Sequence, residues 1–103
     1  MGVLDGQVAC ITGGTRGIGL AIASAFLDEG ANVVINGRDA AKAQRSMDEL
    51  GAGDRLHFIG GNVKKREDCE AIVNGTAAHF GRLDILVPNA GGGSDYAPIA
   101  QMT

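Results

Sequence analysis

The sequence predicts an α/β fold: a parallel sheet of four strands in the order 3-2-1-4, with helices on both faces. Three observations carry that prediction. Short apolar runs begin near residues 7, 32, 55 and 83. A segment with helical apolar spacing separates each pair of runs. Glycines fall at the joints between runs rather than in a repeat. Strict alternation of strand and helix implies parallel strands joined by right-handed crossovers. The switch point then lies between strands one and four, and the arrangement is the first half of a doubly wound sheet.

Each element can be justified in turn. Strand one is expected over 7–12, where the apolar run is nearly continuous, as in a strand covered on both faces. Helix one is expected over 18–29, with Ile18, Ile22, Ala25 and Phe26 as its apolar stripe. Gly30 follows at the position that favours a left-handed backbone. Strand two covers 32–36. Gly37-Arg38-Asp39 is the turn after it, and Asp39 is an N-cap residue for helix two. That helix carries Ala40, Ala43, Met47 and Leu50 on one side and stops at Gly51. Strand three covers 55–59, and a loop at 60–63 leads to helix three. From about Lys65, helix three aligns Cys69, Ile72, Val73, Thr76, Ala77 and Phe80, and Gly81 closes it. Strand four covers 83–87. Helices one and two are expected on one face of the sheet and helix three on the other.

The totals exclude several classes. A chain of 103 residues makes one small domain. A net charge of −3 implies no general attraction to nucleic acid or to anionic membranes. No apolar run approaches the ~20 residues needed to span a bilayer. The first seven residues have neither the basic segment nor the apolar core of a secretory signal. The expectation is a cytoplasmic protein with no nucleic-acid or membrane partner. Cys10 and Cys69 fall inside predicted elements and read as reduced, packed residues. His57 and His79 have no cysteine or carboxylate cluster at ligand spacing, so no metal site is expected.

The stretch Thr12-Gly13-Gly14-Thr15-Arg16-Gly17-Ile18-Gly19 joins strand one to helix one. Glycines at such a joint let bare backbone N–H groups approach a bound group, and the helix start aims its positive dipole end at the same point. That arrangement suits a pyrophosphate. The stretch is not a P-loop, because Gly19 is followed by Leu20 rather than by Lys-Ser or Lys-Thr. The spacing also differs from the ordinary G-x-G-x-x-G. The alternatives are a plain tight turn and a flavodoxin-like phosphate site, the latter requiring strand order 2-1-3-4.

T-G-x-x-x-G-I-G after an apolar strand resembles the nucleotide loop of the short-chain dehydrogenase/reductase family. That resemblance, which covers essentially the whole chain, implies a Rossmann fold and a nicotinamide dinucleotide as partner. It assigns cofactor binding to Gly13, Thr15, Arg16, Gly17, Ile18 and Gly19. After strand two, NAD-binding folds place an acidic residue that accepts from the ribose 2′-OH. This chain has Asn36-Gly37-Arg38 there, and Arg38 can pair with a 2′-phosphate. With Arg16 nearby, the pattern resembles family members that prefer NADP(H) over NAD(H). The alternative is that both arginines are solvated surface charges. Asn62-Val63 stands where the family has Asp-Val against the adenine. Asn62 reads equally as a loop-end cap for helix three. Pro88-Asn89-Ala90-Gly91 resembles the family's Asn-Asn-Ala-Gly segment, which lines the cofactor ribose. Asn89, Ala90 and Gly91 keep those implied roles, while Pro88 replaces the first Asn.

The family's proton-transfer groups are a Tyr and a Lys four residues apart, with a Ser upstream. Tyr96 is followed by Ala97-Pro98-Ile99-Ala100, and neither it nor Ser94 has such a partner. No catalytic residue is assigned. Thr103 is an N-cap type of residue at the point where the family's next helix would start. The expectation is the cofactor-binding half of an oxidoreductase that transfers hydride between a nicotinamide and a small carbonyl or alcohol substrate, truncated before its catalytic half. Strand four would then be a bare apolar edge that invites self-association or a partner supplying the other half. The alternative is a catalytically inactive relative acting as a nucleotide-binding or protein-interaction module.

Overall fold

Val8–Thr12, the first strand (β1), is buried along its whole length, which requires neighbours on both edges and cover on both faces. The computed structural model, which describes residues 2–13 and 17–89, supplies them. Strand β2 (Asn32–Gly37) lies on one edge of β1 and β4 (Ile85–Val87) on the other, both parallel to it. Strand β3 (Leu56–Gly60) pairs with β2, so the order is β3-β2-β1-β4, as the alternation predicts. Helices α1 (Gly17–Asp28), α2 (Ala40–Leu50) and α3 (Arg66–Phe80) connect the strands in turn.

Successive residues of a strand face opposite sides of the sheet, and two cores result. On one side Ile11, Val33, Ile35 and Leu56 pack against Ala23 and Leu27 of α1, with Met47 and Leu50 of α2 alongside. On the other, Cys10 and Val34 pack against Ile72 of α3, flanked by Val63 and Phe80. The helices therefore divide between the faces as expected. Burial pushes the Cys10 thiol up, against a smaller opposing effect of its hydrogen bond with Thr76, so it stays a protonated packing group.

Helix α1 corrects one expectation. Its buried residues are Gly19, Ala23 and Leu27, with Ile22 and Phe26 beside them. Ile18 is 70% exposed and Ala25 is also exposed. The buried ridge runs at four-residue spacing through a glycine, and a stripe read from bulky side chains alone skips that residue. Ala40 at the start of α2 is likewise exposed, whereas Ala43 and Ser46 are buried. Asp39 caps α2 as expected, its Oδ1 accepting from the Lys42 N–H at 3.0 Å. Gly51 and Gly81 end α2 and α3 with φ of 61° and 86°, the left-handed region in which a Cβ is unfavourable. A single 3-10 turn, Gly53–Arg55, occupies the place expected for the start of strand three. Arg55 Nη1 there donates to the carbonyls of Leu27 and Ala31, both at 3.1 Å, tying the entry to β3 to the end of α1.

Asp84 registers β4 on β1. Its N–H donates to the Val8 carbonyl at 2.9 Å, and its Oδ2 accepts from the Val8 N–H at 2.8 Å. Arg82 donates to Oδ1 at 2.7 and 3.1 Å. The Arg82 guanidinium first, and the Val8 N–H second, hold the Asp84 carboxyl below the usual carboxylate range. The His57 ring stacks on His79 with centroids 3.8 Å apart and planes 9° from parallel. Burial, and then repulsion from His79, lower the His57 imidazole below its ordinary 6.5.

Both shifts act in the same direction on stability. A group whose folded pKa is lowered leaves the unfolded chain holding more protons between the two pKa values, so stability falls as pH falls. Thermal melts from pH 7 to pH 3 should show two losses. The first begins below pH 6.5 and should be absent in His57→Gln. The second begins as the pH falls into the ordinary carboxylate range and should be reduced in Asp84→Asn. A melting temperature flat between pH 7 and pH 5 in the wild-type chain would refute the first.

Candidate functional site

Because all four strands are parallel, their carboxyl ends lie along one edge of the sheet. The described residues that the family resemblance assigns to the cofactor follow those ends. Gly13, Gly17, Ile18 and Gly19 follow β1, Arg38 follows β2, Asn62 and Val63 follow β3, and Asn89 follows β4. Thr15, Arg16, Ala90 and Gly91, together with Ser94, Tyr96 and Thr103, lie outside the described residues.

The turns after β1 and β4 are locked together. The Asn89 N–H donates to Thr12 Oγ1 at 2.8 Å, and that hydroxyl is 3.4 Å from the Val87 carbonyl, to which it donates. Asn89 Nδ2 donates to the Gly13 carbonyl at 3.4 Å. Gly19 fits beneath this junction only because it has no side chain. A Cβ there would overlap the Gly13 carbonyl and come within 2.6 Å of Asn89 Nδ2. Gly17 has φ 59°, and a Cβ on it would meet no atom of the described residues within 4 Å. Exposed Ile18 follows it, and the first turn of α1 carries no acidic residue. Among the described residues nothing crowds the start of α1, and its first turn carries no acidic side chain, which suits an anionic group.

After β2, Arg38 is exposed, with no carboxylate within ion-pair distance among the described residues. After β3, the Asn62 N–H donates to Asp68 Oδ2 at 2.8 Å, and Asn62 Oδ1 accepts from the Lys64 N–H at 3.0 Å. The side-chain oxygen therefore shapes the turn into α3. Val63 packs into the core beside Ile72, and its carbonyl accepts from Cys69 Sγ at 2.9 Å. Sequence reasoning did not single out Thr12, Asn36 or Asp68 for roles of their own. Asn36 carried the clearest signal, an amide directly after the apolar run Val33-Val34-Ile35.

A model of the short chain dehydrogenase family matches residues 7–103. The chain belongs to the short-chain dehydrogenase family. It is 42% identical over 98 residues to mouse L-fucose dehydrogenase, a match covering 95% of this chain and 33% of that protein. It is 40% identical over 88 residues to the NADP-dependent (R)-specific alcohol dehydrogenase of Lentilactobacillus kefiri, covering 85% of this chain and 35% of that one. Among solved structures, a short chain dehydrogenase of Bacillus anthracis superposes with a TM-score of 0.81 at 33% identity, covering 87% of this chain and 36% of the other. The chain thus spans about a third of the length of these relatives. As a family member it carries the family's α/β Rossmann arrangement of strands and helices. Among the described residues no three His, Cys, Asp or Glu side chains could hold a metal ion, and no helix is long and apolar enough to cross a membrane.

Proposed function

We propose that this chain is the NADP(H)-binding portion of a short-chain dehydrogenase oxidoreductase. The observation that carries the proposal is the Gly13–Gly19–Asn89 junction, a close approach that only glycine permits and that brings the turns after β1 and β4 together at the start of α1. In this reading the pyrophosphate lies over Gly13, Thr15, Arg16, Gly17, Ile18 and Gly19. Asn89, Ala90 and Gly91 line the nicotinamide ribose. Asn62 and Val63 meet the adenine, and Arg38 pairs with the 2′-phosphate. The bound nicotinamide supplies hydride for a carbonyl or alcohol substrate, with proton-transfer groups contributed by residues that follow in a longer protein. The NADP dependence named for the L. kefiri relative supports the choice of cofactor. The free thiols of Cys10 and Cys69 support a reducing, cytoplasmic setting.

Calorimetric titration of the purified chain with NADPH and NADH tests this reading. NADPH should bind more tightly. Arg38→Ala should cost about tenfold in NADPH affinity, the lower end of a charge-assisted hydrogen bond because Arg38 is exposed, and should leave NADH unchanged. Equal binding of both cofactors would remove the NADP assignment. Binding of neither would remove the claim that these residues suffice for a site. A nucleotide-binding relative without catalysis is the alternative reading, and it differs by binding NADPH while reducing no carbonyl substrate in the complete protein.

A further inference from the structure

Asn36 is a polar residue in a strand that is otherwise apolar at its centre, and it is only 1% exposed. Val34, two residues earlier on the same face, packs against Ile72 of α3. An apolar side chain would suit the position, because a buried amide is unfavourable unless its hydrogen bonds are made. Both hydrogens of Asn36 Nδ2 are used. They go to the carbonyls of Ile59 at 2.9 Å and Gly61 at 3.3 Å. Ile59 is the β3 residue opposite Asn36 in register, whereas Gly61 lies beyond the end of the strand. The Gly61 N–H returns to the Gly37 carbonyl at 3.2 Å. Gly61 is therefore gripped through its N–H by the backbone beside Arg38 and through its carbonyl by Asn36. The next residue, Asn62, is held through its N–H by Asp68.

We infer that Asn36 is a positioning residue for the dinucleotide, clamping the turn after β3 to the end of β2 and so setting the spacing between Arg38 and the Asn62–Val63 pair. The inference rests on the cofactor reading above. Adenine and 2′-phosphate hang from one ribose, so the ligand fixes their separation and the protein must present both contacts at a matching one. A turn left untethered would have to be ordered on binding, which weakens affinity without removing any contact to the ligand.

Asn36→Leu removes both donors at similar size, and Asn36→Val removes them with a branched side chain that suits a strand. Amide hydrogen exchange should be measured on each ligand-free chain, followed by titration with NADPH and with adenosine 2′,5′-bisphosphate. Exchange at Gly61 and Asn62 should accelerate about tenfold, while the β1 amides of Cys10 and Ile11 keep their protection. Affinity for both ligands should fall about tenfold. In an Asn62→Ala background the same substitutions should cost less than about threefold, because the residue they position is already gone. Unchanged local exchange, uniform acceleration across the sheet, or full additivity with Asn62→Ala would overturn the inference. Wild-type binding matched by both Asn36 variants would overturn it alone. A wild-type chain that binds no dinucleotide would overturn it together with the cofactor reading.

Discussion

Gly19→Ala should abolish dinucleotide binding and lower the melting temperature of the chain by about 10 °C, the equivalent of ~2 kcal/mol for a domain of this size. Two effects oppose each other. Replacing a helical glycine with alanine favours the helix by about 1 kcal/mol. The new methyl, however, would overlap the Gly13 carbonyl and press on Asn89 Nδ2. A backbone carbonyl cannot rotate aside as a flexible side chain can, so α1 must move away from β1. Overpacking of that kind costs about 1–3 kcal/mol and sometimes more. The functional loss should exceed the loss of stability, because the displaced groups are the turns that form the proposed pyrophosphate and ribose sites. Gly17→Ala is the control. Its new methyl would meet no described residue within 4 Å, but the position has φ 59°, so the change should cost only about 1 kcal/mol of backbone strain. A Gly19→Ala chain with wild-type melting and NADPH affinity would show that the turn relaxes freely, and the junction would lose its significance.

Particular residues show which parts of this architecture could be read from the sequence. The alternation of apolar runs and helical segments gave the strand order, because crossover handedness leaves few other arrangements. Gly51 and Gly81 could be read as helix ends because the left-handed conformation selects for glycine. The face of α1 could not be read correctly. Counting apolar side chains favoured Ile18 and Ala25, but the sheet is met by Gly19, Ala23 and Leu27, where the absence of a side chain is what allows contact. Asn36 was read only as the end of strand two and the start of the Asn-Gly-Arg segment, and Asp84 only as part of strand four, although each makes bonds between segments distant in sequence. Their partners are backbone groups, and backbone groups leave no signature in the residue types opposite. The site follows the same division. Its positions along the strand ends came from topology and family pattern, whereas the clamp at Gly61 and the use of Asn62 Oδ1 by Lys64 required coordinates.

Ile72→Ala should be the most destabilising single truncation on the α3 side, costing about 3 kcal/mol and lowering the melting temperature by about 15 °C. Ile72 is 1% exposed and is the α3 side chain among the three buried residues of its core, the others being Cys10 and Val34. Seven buried residues form the core on the opposite face, where two helices share the cover. The smaller core has fewer neighbours able to collapse into a cavity, so the cost should lie clearly above the lower end of the range for an Ile-to-Ala change. The position also connects packing to the site. A Cβ on Gly61 would lie 3.3 Å from Ile72 Cδ1, so this side chain forms the floor under the turn that leads to Asn62. Removing it should loosen that turn from below, just as losing the Asn36 amide should loosen it from the side. NADPH affinity measured well below the melting temperature should therefore fall in Ile72→Ala. A truncation of similar depth on the other face, Leu27→Ala, should lose stability with little effect on affinity. Equal losses of affinity in the two variants would mean that binding follows global stability, and the specific link from α3 to the adenine side would be lost. Ile72→Val keeps the branch at Cβ and removes one methyl, and should cost about 1 kcal/mol while retaining most of the binding.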